Sequence, residues 1–403
     1  MRLAPYRSVL RLPGVRSLMI LALIARIPAS AVFMALTLHV VLGLGESYAR
    51  AGVVSGVLTI TSALGGPLIG RLLDRTSLRF ALAIGVTAEL AFWMTAPSLP
   101  YHALVVAAGL LGLVSLPVFS VVRQSIAALV PEAHRKPAYA LDSMSVELSF
   151  MVGPAAAVVL ATTTSSTVMM YAVGAAMVLA GAAFYVADPP IRAADEEHTV
   201  AERVPRRSWM TFRFGSYLII SVATTAVLAG SDLAIVATLR ANGEVSLVGF
   251  VVAGWAAYSL LGGFLFGALR RTPPPVVLVA LLGAFTIPVG LATGAWWLAV
   301  ALIPAGLLCA PTLAATADAV SRLVPAAARG EAMGWHNSSI TLGLAVGSPL
   351  AGAVIDASAP GWAFVVAGGL SLGTALALMP FMGVREPRPD APAEEKTAVP
   401  AAL

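Results

Sequence analysis

The chain has 403 residues, of which 59% are apolar and 11% charged, and its mean hydropathy is +0.88. Soluble domains need about 25% charged residues to cover their surface, so this composition excludes an ordinary soluble protein and predicts a chain solvated by lipid. The net charge of +5 does not indicate nucleic-acid binding, because the basic residues are spread over short loops. A single cysteine, Cys309, excludes a disulfide framework and a cysteine-rich metal site.

Twelve apolar segments follow one another along the chain, each about 20 residues long, which is the length a helix needs to cross a bilayer. They lie near 17–41, 50–70, 80–98, 103–124, 138–160, 167–187, 214–238, 246–268, 276–293, 297–318, 334–355 and 361–383. The sequence therefore predicts an all-α membrane protein with twelve transmembrane helices, which we number as spans 1 to 12. An even number of spans places both termini on the same side.

The distribution of basic residues predicts which side that is. If the N-terminus is cytoplasmic, all but three of the 25 Lys and Arg residues fall in cytoplasmic loops and ends. The exceptions are Arg26, which lies inside span 1, and Arg50 and Arg240. This bias follows the positive-inside rule. We therefore expect a multi-pass protein of the cell (inner or plasma) membrane with both termini cytoplasmic.

The polar stretch 188–213 separates six spans from six more. The predicted organisation is an N-terminal six-helix bundle at 1–187, a cytoplasmic linker at 188–213 and a C-terminal six-helix bundle at 214–383. The remaining residues, 384–403, are rich in Pro, Ala and Glu and are predicted to be a disordered cytoplasmic tail.

The two predicted bundles repeat each other in sequence. Residues 116–155 align without a gap onto 310–349, and both contain an LVP-x-A-x-R turn. The stretch GGPLIGRLLDRTSLR at 65–79 returns in weaker form as GGFLFGALRRT at 262–272, each time where an apolar span ends. Two parallel six-helix repeats, related by a pseudo-two-fold axis along the membrane normal, are the simplest architecture.

A family resemblance rests on the charged turn after span 2. The chain resembles the major facilitator superfamily over essentially its whole length. That family has a loop motif between spans 2 and 3, Gly-x-Leu-x-Asp-Arg-x-Gly-Arg-Arg/Lys, and the matching residues here are Gly70, Leu72, Asp74, Arg75 and Arg79. Ser77 replaces the second glycine and Leu78 one basic residue. The resemblance implies a secondary transporter that works by alternating access.

Two further features are similar to those of drug–proton antiporters within that family. Gly153 and Pro154 match the start of the helix-packing motif of span 5, without the glycines that follow in the family. Arg123, near the end of span 4, resembles the antiporter motif of that span in residue type. The Gly153–Pro154 match favours export, and Arg123 lies close to the cytoplasmic end of its span.

Ionisable residues inside spans are costly and therefore candidates for function. Arg26 and Glu147 lie at similar predicted depths in spans 1 and 5, and we predict that they form a pair near the substrate cavity. Either Glu147 binds and releases a transported proton beside Arg26, or the two form a permanent ion pair that locks the spans together. Asp232 in span 7 is either a second proton-coupling carboxylate or an ionised group that attracts a cationic substrate.

Other intramembrane charges have simpler interpretations. A structural hydrogen bond is favoured for Glu89 in span 3. Asp318 and Arg322 are spaced i, i+4 and predict a local helical ion pair.

The resemblance also implies a contact that closes the cytoplasmic side. The motif loop should meet the start of span 11, where the helix N-terminus stabilises a negative charge such as Asp74 by about 0.3–1 kcal/mol. The repeat predicts a reciprocal second latch, in which Arg270 and Arg271 of the loop after span 8 meet Asp142 at the start of span 5. The residue aligned with Asp142 is His336 in span 11, which we place in the first contact. Ordinary loop charges obeying the positive-inside rule are the alternative.

These features predict proton-coupled export of a small amphipathic organic compound. An uptake permease of the same fold and a non-transporting membrane sensor or scaffold are the alternatives. No P-loop and no HExxH occurs, and five scattered histidines give no metal cluster, so we expect no enzyme activity, no cofactor and no bound metal. The expected partners are a small-molecule substrate, protons and the lipid bilayer, with no nucleic acid, and we expect a monomer.

Overall fold

The computed structural model describes residues 4–192, 204–269 and 273–382, and these residues form long helices joined by short turns. Eleven of the described helices are long and apolar enough to cross a membrane, and a shorter apolar helix completes the set of twelve. The spans are Val15–Gly43, Tyr48–Arg75, Leu78–Ser98, Tyr101–Leu129, Glu132–Thr163, Ser166–Ala187, Phe212–Ala241, Val248–Ala268, Pro275–Leu291, Ala295–Leu323, Arg329–Ala357 and Pro360–Met382. Two short helices, Ala4–Leu10 and Arg206–Trp209, precede spans 1 and 7.

Several spans depart from a regular α-helix in ways that the apolar pattern does not reveal. Span 1 ends in a π-helical turn at His39–Gly43, and spans 3 and 9 end in 3₁₀ turns. Span 4 consists of two helices, Tyr101–Val114 and Val118–Leu129. The break falls before Pro117, which has no amide hydrogen to continue the ladder. Span 5 begins at Glu132, several residues before its predicted start at 138.

We call the side of the bundle that carries Ala4–Leu10 and Arg206–Trp209 the linker side, and the other the opposite side. The predicted tail, 384–403, lies outside the described residues, as do 193–203 of the predicted linker.

Equivalent glycines pack equivalent helices within each half. A methyl group at Gly65 in span 2 would lie 2.5 Å from the carbonyl oxygen of Leu113 in span 4. A methyl group at Gly262 in span 8 would overlap the carbonyl oxygen of Leu307 in span 10. The two contacts are related by the repeat. Small residues of this kind let membrane helices approach closely, where lipid offers no hydrophobic drive to pack them.

The next glycine of each pair packs across the two halves instead. A methyl group at Gly66 in span 2 would lie 2.8 Å from Ser338 Oγ in span 11, and one at Gly263 in span 8 would lie 3.0 Å from the Met144 side chain in span 5. Ser338 and Met144 are aligned positions of the repeat. The sequence duplication therefore appears in the structure as a pair of symmetry-related contacts between the halves, both on the linker side.

Candidate functional site

A buried cluster of charged side chains lies where spans 1, 4 and 5 meet. Arg26 Nη2 lies 2.6 Å from Asp142 Oδ1, and Arg123 Nε lies 3.4 Å from Asp142 Oδ2. All three side chains are at most 4% exposed. The Arg26 guanidinium also lies over the ring of Phe119, 5.0 Å from its centroid. One carboxylate thus serves two guanidinium groups, which leaves the cluster with an excess of positive charge.

The predicted pair of Arg26 with Glu147 is wrong. Spans 1 and 5 run in the same direction, and Arg26 lies level with Ser145, whose Oγ is 3.5 Å from its guanidinium. Side chains on an α-helix lean toward the helix N-terminus, so Arg26 reaches back about one turn to Asp142. Glu147 lies five residues beyond Asp142, on another face of span 5, because successive residues turn by about 100°.

Glu147 instead faces the second half. Its Oε1 accepts a hydrogen bond of 2.9 Å from the Ser259 hydroxyl in span 8. Asp232 in span 7 is exposed, and it is near enough to Glu147 for the two carboxylates to interact electrostatically. The structure therefore brings these two predicted carboxylates into one region between the halves and places Arg26 elsewhere. Ser259 gave no signal in the sequence, because a lone serine in an apolar span is common.

The buried cluster reaches the second half through Arg123. Its Nη1 lies 3.1 Å from His336 Nδ1 in span 11, and His336 Nε2 lies 3.4 Å from Thr316 Oγ1 in span 10. His336 is 0% exposed. Sequence analysis placed His336 beside Asp74, which is wrong: the imidazole lies against Arg123, in the interior.

Asp74 of the motif loop meets the first turn of span 11. Its Oδ1 accepts a 2.8 Å hydrogen bond from the Gly330 amide, and its Oδ2 accepts one of 2.7 Å from the Glu331 amide. A carboxylate from one half thus caps a helix of the other half, in the way that an N-cap residue caps its own helix. Gly70 lies one turn earlier, where any Cβ would overlap the Gly330 carbonyl oxygen.

The basic residues of the motif lie at the surface around this contact. Arg79 forms a 3.0 Å ion pair with Asp188, at the end of span 6. Arg75 is exposed. Arg192, from the segment between the halves, donates a hydrogen bond to the Asp74 carbonyl oxygen. Arg206 pairs with Glu331, so the segment that joins the halves contacts both partners of the Asp74 cap.

The reciprocal contact between spans 5 and 8 is present, but the predicted side chains do not make it. Asp142 was predicted to face Arg270 and Arg271; it is buried against Arg26 and Arg123 instead. The prediction placed Asp142 on the wrong face of span 5, because the sequence of an apolar helix does not show which face points into the protein. Arg270 and Arg271 lie outside the described residues.

Two residues that the sequence analysis did not single out make this second contact. Lys136 Nζ donates to the Leu269 carbonyl oxygen at the end of span 8 and lies 5.1 Å from the Phe266 ring centroid. The Tyr6 hydroxyl is shared between the carbonyl oxygens of Gly263 and Phe264, and its ring stacks on Phe264 with centroids 5.0 Å apart.

The remaining predicted sites are a packing contact between spans, a hydrogen bond within one helix, and a helical ion pair that extends to the other half. A Cβ at Gly153 would overlap Ser30 Oγ and the Ile27 carbonyl oxygen, so the Gly153–Pro154 motif lies where span 5 packs on span 1. Glu89 accepts a 2.7 Å hydrogen bond from Trp93 of its own helix. Arg322 lies 3.0 Å from Asp318, as the spacing predicts, and also pairs with Glu132 of the other half at 2.6 Å.

Between the halves, the hydrogen bonds and ion pairs of the described residues lie on the linker side and reach no further than the level of Glu147 and Ser259. Two six-span bundles that meet through one closed side define a membrane transporter. The chain belongs to the Major Facilitator Superfamily, whose family model matches residues 18–242 and 233–403. No curated protein sequence matches the chain.

Solved structures of the same fold confirm the predicted fold class. The human organic anion transporter MFSD10 is 17% identical, with 91% of this chain and 100% of that chain covered and a TM-score of 0.67. A bacterial homologue of the iron transporter ferroportin, in an outward-facing state with soaked iron, is 14% identical, with 91% and 99% covered and a TM-score of 0.71. The proton:xylose symporter XylE is 13% identical, with 92% and 96% covered and a TM-score of 0.71.

Proposed function

We propose that this protein is a secondary active transporter that exports a small amphipathic organic compound in exchange for protons. The observation that carries the proposal is the one-sided closure of the two halves, with a carboxylate, Glu147, at the inner limit of the closed region. Alternating access requires one side to be closed while the other is open. The contacts that close the linker side are hydrogen bonds such as the Asp74 cap and close packing at Gly66 and Gly70. They join residues of different halves, so they can separate without unfolding either half.

The charge distribution supports a cytoplasmic location for the closed side. The linker side carries the excess of Lys and Arg, and the positive-inside rule places such loops in the cytoplasm. With this orientation, the proposed state of the carrier is open to the outside. The similar bacterial ferroportin homologue is likewise described as outward-facing.

Glu147 and Asp232 are the proposed proton-coupling groups. The hydrogen bond from Ser259 to Glu147 crosses between the halves, so rocking of one half against the other must change the environment of that carboxylate. Asp232 is exposed, and no ion pair of this residue occurs among the described side chains. A carboxylate pair of this kind is suited to holding either a proton or a cationic group of the substrate.

Reconstituted protein tests this proposal. Cells with and without the protein first identify a substrate by a susceptibility and accumulation screen. In proteoliposomes, that substrate should then drive a proton flux of opposite direction. Glu147→Gln and Asp232→Asn should each reduce this flux by about tenfold or more, because each removes a group that carries the proton. Glu46→Gln, in an exposed pair with Arg50, is the matched control and should leave the flux unchanged.

The direction of transport is tested in the same vesicles. Uptake of protons and substrate together would indicate a symporter, as XylE is described to be, and would contradict export. Substrate movement without any proton flux would contradict coupling. A protein that binds no compound and moves none would instead favour the sensor or scaffold.

A further inference from the structure

The contact between Arg123 and His336 joins the two halves in the interior of the closed region. Arg123 belongs to span 4 and His336 to span 11, so the pair must separate when the linker side opens. This contact was no part of either predicted latch. One of its partners, His336, can gain or lose a proton within the physiological range.

Hydrogen-bond chemistry fixes the protonation state of His336 here. A guanidinium group can only donate, so the His336 Nδ1 that lies 3.1 Å from Arg123 Nη1 must accept and cannot carry a hydrogen. On the other side of the ring, the Thr316 hydroxyl already donates to the Thr312 and Leu313 carbonyl oxygens at 3.0 Å. Its oxygen is left to accept from His336 Nε2. The imidazole is therefore neutral, with its hydrogen on Nε2.

The surroundings do not provide for a second proton. The charged group in contact with the imidazole is Arg123, itself a cation, and the carboxylate behind it, Asp142, already serves both Arg123 and Arg26. Tyr139 of span 5 donates to the Arg123 carbonyl oxygen and adds no negative charge. A protonated His336 would place a third cation beside one buried carboxylate.

The helices packed against span 11 supply no other partner for the ring. On span 2, Asp74 is bound to the first turn of span 11, and on span 10, Asp318 is paired with Arg322. Span 12 contains no charged residue. The other titratable groups on these helices are Tyr48, Arg50, Arg71 and Arg75 on span 2, Tyr101 and His102 on span 4, Arg213, Tyr217, Asp232 and Arg240 on span 7, Cys309 on span 10, and Arg329, Glu331 and Asp356 on span 11 itself.

We propose that His336 is a proton-sensitive contact: it is neutral while the linker side is closed and takes up a proton at Nδ1 only when Arg123 moves away. Proton binding and closure are then mutually exclusive. One proton taken up on opening makes the open form more populated as pH falls, by up to about tenfold for each pH unit. His336 thereby makes the opening of the linker side respond to the pH on that side. This inference rests on the proposed alternating access but not on the identity of the substrate.

A distance measurement across the linker side tests the proposal. Spin labels are attached at Ala133→Cys and Ser208→Cys, both exposed, in a Cys309→Ser background in which the buried native thiol is removed. Ala133 lies at the start of span 5, and Ser208 precedes the buried Trp209 of the second half. Between about pH 8 and pH 5.5, the range in which histidine exchanges its proton, the population with a long distance should grow as pH falls.

Substitutions separate His336 from other titrating groups. His336→Gln keeps an acceptor for Arg123 and a donor for Thr316 but cannot titrate, so its distance distribution should no longer change over this range. His134→Gln, a half-buried histidine on the same side, is the matched control and should behave as the parent does. Arg123→Gln keeps the imidazole but removes the opposing cation, and it should also flatten the pH dependence.

The outcomes distinguish this inference from the proposed function. If the parent and His336→Gln show the same pH dependence, His336 is not the sensor, although alternating access stands. If the distance is constant at every pH and also in the presence of substrate, both ideas fail. Loss of the pH dependence in His336→Gln together with an unchanged response in His134→Gln would establish the sensor whether or not proton-driven export is observed.

Discussion

At the scale of single residues, Asp142 holds the buried cluster together, because it is the carboxylate that both Arg26 and Arg123 contact. Replacing Asp142 with Asn leaves two buried guanidinium groups without a counter-charge. Breaking a buried pair in this way costs about 3–5 kcal/mol. We therefore expect Asp142→Asn to lower the midpoint of thermal unfolding of the purified protein in detergent, in proportion to that loss.

Two comparisons make this prediction specific. Arg26→Gln combined with Asp142→Asn restores the net charge of the cluster and should recover part of the lost stability. Glu132→Gln removes an exposed partner of Arg322 and should cost less than about 1 kcal/mol, since exposed ion pairs contribute little. An unfolding midpoint for Asp142→Asn equal to that of the parent would contradict the assigned role.

Sequence reasoning found the right residues more often than the right partners. Arg26 and Glu147 were singled out because an ionisable group inside a span is costly. Arg123 was singled out by its resemblance to a family motif, and Asp142 and His336 by the alignment of the repeat. The partners depend on which face of the helix each residue occupies. A helix that is apolar all round has no amphipathic pattern from which that face could be inferred. Asp142 was therefore assigned to the surface latch, and Arg26 was assigned to Glu147 from depth alone.

At the scale of helices, two glycines of span 2 pack against different halves of the protein. Gly65 packs on span 4 of its own half, whereas Gly70 packs on the first turn of span 11 in the other half. Gly65→Val should therefore disturb the folding of the first half and reduce thermal stability. Gly70→Val should leave each half folded but force the two apart on the linker side. The spin-label pair described above would report that second change as a longer distance.

Gly56 provides a control within the same helix. A Cβ at Gly56 would meet no atom within 4 Å, so Gly56→Val should change neither the unfolding midpoint nor the distance. If Gly70→Val leaves the linker side as closed as Gly56→Val does, the close approach of spans 2 and 11 is not what keeps it shut.

The helices themselves were largely predictable, because a bilayer sets their length and their composition. The predicted spans match the observed ones to within a few residues at most ends. The start of span 5 was predicted too late because its first residues, Glu132 to Lys136, are mostly polar and do not extend the apolar pattern. The break in span 4 at Pro117 and the π-helical turn at His39–Gly43 were not predicted. Apolar content does not report such local changes in hydrogen bonding.

At the scale of the whole molecule, one rigid-body motion must break several separate contacts at once. The Asp74 cap joins spans 2 and 11, while Tyr6 joins the N-terminal helix to span 8. Burial raises the pKa of Tyr6 to about 12, so its hydroxyl keeps the proton that it donates. Its contribution is fully present below about pH 10, the ordinary value for tyrosine, and is lost as pH rises through about 12. The Tyr6 contact is therefore insensitive to pH over the range in which His336 responds.

Because both contacts bias the same equilibrium, their effects on it should add. Tyr6→Phe keeps the ring stacked on Phe264 but removes the hydroxyl, which should favour the open linker side by about 0.5–1.5 kcal/mol. Asp74→Asn removes the charge from the cap and should favour opening by about 1.5–3 kcal/mol. Open and closed populations from the spin-label distances give each free energy, and the double variant should equal their sum within about 0.5 kcal/mol. A double variant no more open than Asp74→Asn alone would mean that the N-terminal helix does not take part in closing the two halves.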